Sequence, residues 1–119
     1  MKGIIYAALL AICENAVAQE AVFSGSNLKE YCDDIDLSEL DLYGAMCFGY
    51  VTGVAEAKVF DYMFCPPTGS NRDQFVLVVS KYLSDHPEKL HRDAHILVAG
   101  ALQEAFPCPK LFENLPMQK

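Results

Sequence analysis

Asn71-Arg72-Asp73-Gln74-Phe75-Val76-Leu77-Val78-Val79-Ser80-Lys81-Tyr82-Leu83 is the stretch whose reading decides the fold class. Its centre, Phe75 to Val79, is an apolar run that taken alone would suit a buried strand. Its start argues for a helix. Asn71 stands three residues before Gln74, the spacing at which two side chains satisfy each other's backbone amides at a helix N-terminus. Phe75, Val76, Val79, Tyr82 and Leu83 then share one helical face, so a helix is predicted to begin near residue 72.

The same spacing recurs upstream in Asn27 with Glu30 and in Ser38 with Asp41, predicting helices that begin near residues 28 and 39. The first is short, about Leu28 to Asp33, because an acidic run follows it. The second is long, from Leu40 to about Tyr62. In it Leu42, Met46, Val54 and Phe60 mix with a row of small residues one turn apart, Ala45, Gly49, Gly53 and Ala57. Such a row lets another helix approach closely, within the domain or between two subunits. Asp41, Glu56, Lys58 and Asp61 exclude a lipid-embedded segment.

Cys65-Pro66-Pro67-Thr68-Gly69-Ser70 reads as a non-helical connector, since prolines cannot continue the ladder and Gly69 offers a free turn. His86-Pro87 stops the third helix. A last helix is predicted from about Leu90 to Phe106, with Ala94, Leu97, Val98, Ala101, Leu102 and Ala105 facing inward and Pro107 ending it. The expected architecture is all-α, a compact bundle of four to five helices.

Residues 1–18 read as a signal peptide. Lys2 precedes an apolar run from Gly3 to Ile12, and Ala16-Val17-Ala18 has the small-x-small pattern of a cleavage site. Glu14 and Asn15 close the run well short of the roughly twenty residues a membrane span needs. Leu10-Ala11-Ile12-Cys13 partly matches a lipid-attachment site, but Ile12 is bulkier than the small residue expected there, which favours removal of Cys13 with the signal. A single domain is then expected over 19–119, about one hundred residues, with a core of marginal size.

Cys32, Cys47, Cys65 and Cys108 remain. An even number in a short exported chain points to disulfides, and their wide, single spacing is unlike the close pairs of a zinc site. Of three possible connectivities, Cys32 with Cys47 and Cys65 with Cys108 is preferred. The first would tie the short helix to the long one, the second the connector to the end of the last helix.

Lys and Arg number 9 against 16 Asp and Glu, a net charge of −7, which argues against nucleic-acid binding. The acids crowd between Glu30 and Asp41, where Asp33, Asp34, Asp36, Glu39 and Asp41 form a solvated loop able to attract a basic partner. The spacing lacks the ordered ligand loop of a calcium site. His91 and His95 lie one helical turn apart at the start of the last helix, a spacing that can hold a metal, but a third ligand would have to come from Asp93, Glu88 or elsewhere and no second cluster completes a catalytic set. Every cysteine after residue 18 is wanted for a disulfide, and no serine sits in a sharp glycine-flanked turn. The sequence therefore points to no enzyme, no metal and no cofactor.

Read in order, the landmarks are Cys32, then Cys47-Phe48-Gly49-Tyr50-Val51-Thr52-Gly53-Val54, Cys65-Pro66, Gln74, Tyr82-Leu83, His86-Pro87, His91, Ala94, Leu97-Val98, Ala101-Leu102 and Phe106-Pro107-Cys108. Over nearly all of Leu28 to Cys108 this pattern resembles the Rap/Tai family of small exported proteins. The resemblance implies a helical, disulfide-bonded and often dimeric protein. It also implies a periplasmic immunity protein of type VI secretion, which binds and occludes a cell-wall amidase delivered by sibling bacteria. The landmarks concern folding, so target specificity would reside in surface loops. The alternative is a periplasmic stress-related or chaperone-like binding module whose carboxylates neutralise at low pH, with no toxin partner.

The connector residues Pro66, Pro67, Thr68, Gly69, Ser70 and Asn71 are the expected partner-binding surface, with Thr68 and Ser70 offering hydrogen bonds and the acidic loop Asp33 to Asp41 as an accessory. The turn His86 to Arg92 competes for that role. Gly49, Gly53 and Ala57 are the expected homodimer face.

Overall fold

The structure, a computed structural model, describes residues 23–110; the predicted signal segment, with Cys13, lies outside them. Four α-helices follow one another among the described residues: α1 Gly25–Cys32, α2 Leu42–Phe60, α3 Arg72–Asp85 and α4 Ala94–Ala105, with a 3-10 turn at Pro87–Lys89. The all-α expectation holds.

At α3 the cap is as predicted. Asn71 Oδ1 accepts from the Gln74 amide at 2.9 Å, and the Asn71 amide donates to Gln74 Oε1 at 3.0 Å. The other two starts are displaced. Helix α1 begins at Gly25, not near residue 28, because Ser24 is its cap and Asn27 its third residue: the Ser24 amide donates to Asn27 Oδ1 at 3.0 Å and the Asn27 amide to Ser24 Oγ at 3.3 Å. Asn27 thus occupies the opposite end of a capping box from the one predicted. Helix α2 begins at Leu42, not near residue 39, because Asp41 itself caps the Gly44 amide at 2.7 Å. Ser38 is spent on its own turn, donating from its hydroxyl to Asp36 Oδ1 at 2.6 Å.

Helix α4 also starts late, at Ala94 instead of Leu90. The reason is tertiary. The Gly25 amide donates to the Arg92 carbonyl at 2.8 Å, the Ser26 amide to the Leu90 carbonyl at 2.9 Å, and the Ala94 amide to the Phe23 carbonyl at 3.0 Å. These bonds, around a single antiparallel bridge between Ser24 and Asp93, satisfy backbone groups that an earlier helix start would have used internally.

Helices α2, α3 and α4 each pack on the other two, and α1 lies across all three. The core is Leu28 and Cys32 of α1, Cys47, Val51 and Ala55 of α2, Val76, Val79 and Leu83 of α3, and Ala94, Leu97, Val98, Ala101 and Leu102 of α4. Phe64, in the irregular chain after α2, is buried with them. Each such leucine or phenylalanine contributes on the order of 1.5 to 3 kcal/mol through burial. Both preferred disulfides are present: Cys32–Cys47 clamps α1 to α2, and Cys65–Cys108 clamps the connector to the chain leaving α4.

Gly25 sits where α1 meets the chain before α4. A Cβ there would overlap Leu97 Cδ1 and come within 3.1 Å of the Leu90 Cα and carbonyl oxygen. Leu97 is buried in the core and Leu90 accepts the Ser26 bond, so neither can yield freely. Gly25→Ala should lower stability by about 1 to 3 kcal/mol through overpacking. Denaturant titration checks this, and a change smaller than about 0.5 kcal/mol would show that the close approach relaxes without cost.

Candidate partner-binding surfaces

The connector between α2 and α3 is held at both ends and open in the middle. At its start, Cys65 is bonded to Cys108 and its amide donates to the Phe106 carbonyl at 2.8 Å. At its end, Asn71 caps α3. Between them the Ser70 amide donates to the Pro67 carbonyl at 3.1 Å, closing a turn in which Gly69 takes φ of +92°. That left-handed conformation suits glycine at the third position of a tight turn. Pro67, Thr68 and Gly69 are exposed.

The two hydroxyls of this turn have different roles. Ser70 Oγ donates to the Pro67 carbonyl at 2.7 Å, which stiffens the turn and leaves the hydroxyl oxygen as an acceptor. Thr68 stands at the tip. Next to the connector, Tyr62, predicted to end the long helix, is 71% exposed beyond it, and Met63 also reaches solvent as part of the same apolar shoulder. Tyr62 has φ of +53°, which turns the chain off the axis of α2 and leads it to Phe64.

A second surface lies on α2. Gly49 and Gly53 have open space where a Cβ would stand, and Ala45 and Ala57 are exposed. The small-residue row therefore packs against no other helix among the described residues. On the same side, Leu42 is 78% and Met46 49% exposed. Helix α2 is apolar around most of its circumference, so covering one side against α1, α3 and α4 leaves apolar residues outside.

The acidic loop is neighbour to this end of α2. Ser38 donates to Asp36 from its hydroxyl and its amide, and these bonds hold the Asp36 carboxyl below the usual carboxylate range. Asp33 pairs with Lys29 at 2.7 Å and Asp41 caps α2. A cavity of about 140 Å³ opens between the loop and Tyr43, lined by Glu30, Asp34, Glu39 and their neighbours.

The turn after α3 is built differently. The His86 ring lies 4.3 Å from the Tyr82 ring, its Nδ1 is 2.9 Å from Glu88 Oε1, and Lys89 Nζ donates to the Tyr82 hydroxyl at 3.1 Å. The bond with His86 holds the Glu88 carboxyl below its ordinary value. A groove of about 290 Å³ runs beside it between α3 and α4. His91 and His95 do not share a helical face, because His91 lies in the turn before α4 and only His95 is in the helix. Among the described residues no three His, Cys, Asp or Glu side chains converge on a metal-sized position, and no helix is long and apolar enough to cross a membrane.

Comparison with known families matches residues 24–108 to the Rap1a immunity proteins. The chain belongs to that family. The match runs from the cap of α1 to the second cysteine of the Cys65–Cys108 bond, so it takes in all four helices and both disulfides. No curated protein matches it. For a Rap1a immunity protein the relevant features are surfaces offered to a partner, and the connector, the open face of α2 with the acidic loop beside it, and the His86 turn are such surfaces among the described residues.

Proposed function

We propose that this Rap1a immunity protein works in the periplasm, binding a type VI secreted peptidoglycan amidase and occluding its cleft with the connector Pro66 to Asn71. The observation that carries this reading is the exposed turn at Pro67, Thr68 and Gly69, fixed on one side by a disulfide and on the other by a helix cap. A turn already ordered before binding loses little entropy on entering a cleft, and that saving appears as affinity. Inhibition then requires only that the inserted turn exclude substrate. Two disulfides suit an oxidising compartment such as the periplasm.

Thr68→Arg tests the placement, because the side chain stands at the exposed tip and the substitution leaves the Ser70 bond intact. The cognate type VI amidase should bind the variant more weakly by at least about 2 kcal/mol, and cells carrying the variant should lose protection while its melting temperature stays unchanged. Undiminished protection by a folded variant would move the inhibitory surface elsewhere.

The open face of α2 is assigned to a two-fold homodimer through Gly49, Gly53 and Ala57. Gly53→Glu has room in a single chain and should raise helix stability by up to about 1 kcal/mol, yet it would place two carboxylates at the shared axis. Sedimentation should show a dimer for the parent and a monomer for the variant. A monomeric parent at micromolar concentration would sink the assignment.

A further inference from the structure

The start of α2 presents an apolar face that precedes the Gly49, Gly53 and Ala57 stripe along the helix and is separate from the connector. Leu40 is 40% exposed, Leu42 78% and Tyr43 53%. Tyr43 is not loose: its ring packs on Tyr31 at 5.4 Å, which in turn stacks on Phe23 at 5.8 Å. An exposed aromatic held by its neighbours can meet a partner without losing rotamer freedom, as interface anchors do.

We infer that this face docks a basic amphipathic segment of a partner protein, with apolar side chains against Leu40, Leu42 and Tyr43 and Lys or Arg over the surrounding carboxylates. Charge decides the occupant. Asp33, Asp34, Asp36, Glu39 and Asp41 are all exposed around the face, and the neighbouring Lys29 is taken by Asp33. A second copy of this chain, brought up by a two-fold axis here, would set these carboxylates against themselves. A basic segment meets them with the opposite sign and gains long-range attraction on approach. The inference adds a second contact to the immunity reading and rests on it only for the identity of the partner.

The probe is a synthetic amphipathic helix of Lys and Leu, with a counterpart in which Glu replaces every Lys, titrated against the chain from Gln19 onward. Glu30→Gln, Asp34→Asn and Glu39→Gln together remove charge without touching a cap or an ion pair, and asparagine tolerates the φ of +55° at residue 34. The parent should bind the Lys peptide and not the Glu peptide. Affinity should fall about tenfold in the triple variant and in Leu42→Ser, and also at high salt, with melting temperatures unchanged. Equal binding of both peptides, or an unaffected triple variant, overturns the inference. So does a Leu42→Ser variant that loses self-association while keeping peptide affinity, since a second copy would then cover the face. Titration with type VI peptidoglycan amidases separates the two readings: amidases that bind neither form refute immunity and leave the peptide result standing. An effector that binds both forms at equal rate refutes the docking face alone.

Discussion

Replacing Cys65 and Cys108 together by alanine should lower the unfolding free energy by about 4 kcal/mol, against about 3 kcal/mol for the Cys32–Cys47 pair, from the loop entropy each bond removes in the unfolded chain. The separations behind these values are 43 and 15 residues. The order of chemical attack should be the reverse of burial. Cys32 and Cys47 are 1% and 0% exposed, whereas Cys65 and Cys108 are only half-buried, so a mild thiol should open the second bond first. Peptide mapping during timed reduction reads that order, and denaturant titration of the two double variants reads the energies. Simultaneous opening of both bonds would show that the molecule unfolds as one unit before either sulfur is reached. Of the two bonds the second is the one anchored at the connector, so its loss should weaken effector binding there even where the helices remain formed.

Local sequence signals located the helices better than their ends. The pair Asn71 and Gln74 was readable because both partners of that cap lie within four residues and no distant contact disturbs them. At α1 the same chemistry is present but one turn earlier than the predicted Asn27 with Glu30: Ser24 and Asn27 form the box, beside the Gly25 and Ser26 bonds to Arg92 and Leu90, which no local pattern reveals. The late start of α4 has the same cause, seen from the other strand of that contact. Disulfide pairing was legible because it follows from which helix ends the bundle brings together.

The candidate site was legible in part. The prolines, Gly69 and the cap at Asn71 announced a stiff connector, and the structure shows that stiffness, but the bond of Ser70 depends on the turn geometry that Gly69 adopts. The small-residue row was visible as a row. Which side of α2 it faced was not, since that helix is apolar nearly all round and periodicity assigns a face only where polar residues mark the other. Leu42, Tyr43 and Met46 lie outside the core.

Phe64→Ala should be the most damaging single substitution in the connector region, costing about 3 to 5 kcal/mol. Phe64 is 1% exposed although it belongs to no helix. Its ring meets Phe75 edge-on at 5.7 Å and lies 6.5 Å from Phe106, while Phe75 and Phe106 meet each other at 5.7 Å. One ring thus joins the chain leaving α2 to the first turns of α3 and the end of α4. The neighbouring Cys65 bonds its amide to Phe106 and its sulfur to Cys108, so ring and disulfide fix the same corner. Their effects should be less than additive: once the bond is gone, the unanchored chain can partly collapse into the cavity left by alanine. A double-mutant cycle in denaturant measures the coupling, with Phe64→Leu as the variant expected to retain most of the stability. If Phe64→Ala cost less than about 1 kcal/mol, the connector would be held by the disulfide and the Asn71 cap alone, and the three-ring cluster would be incidental to its position.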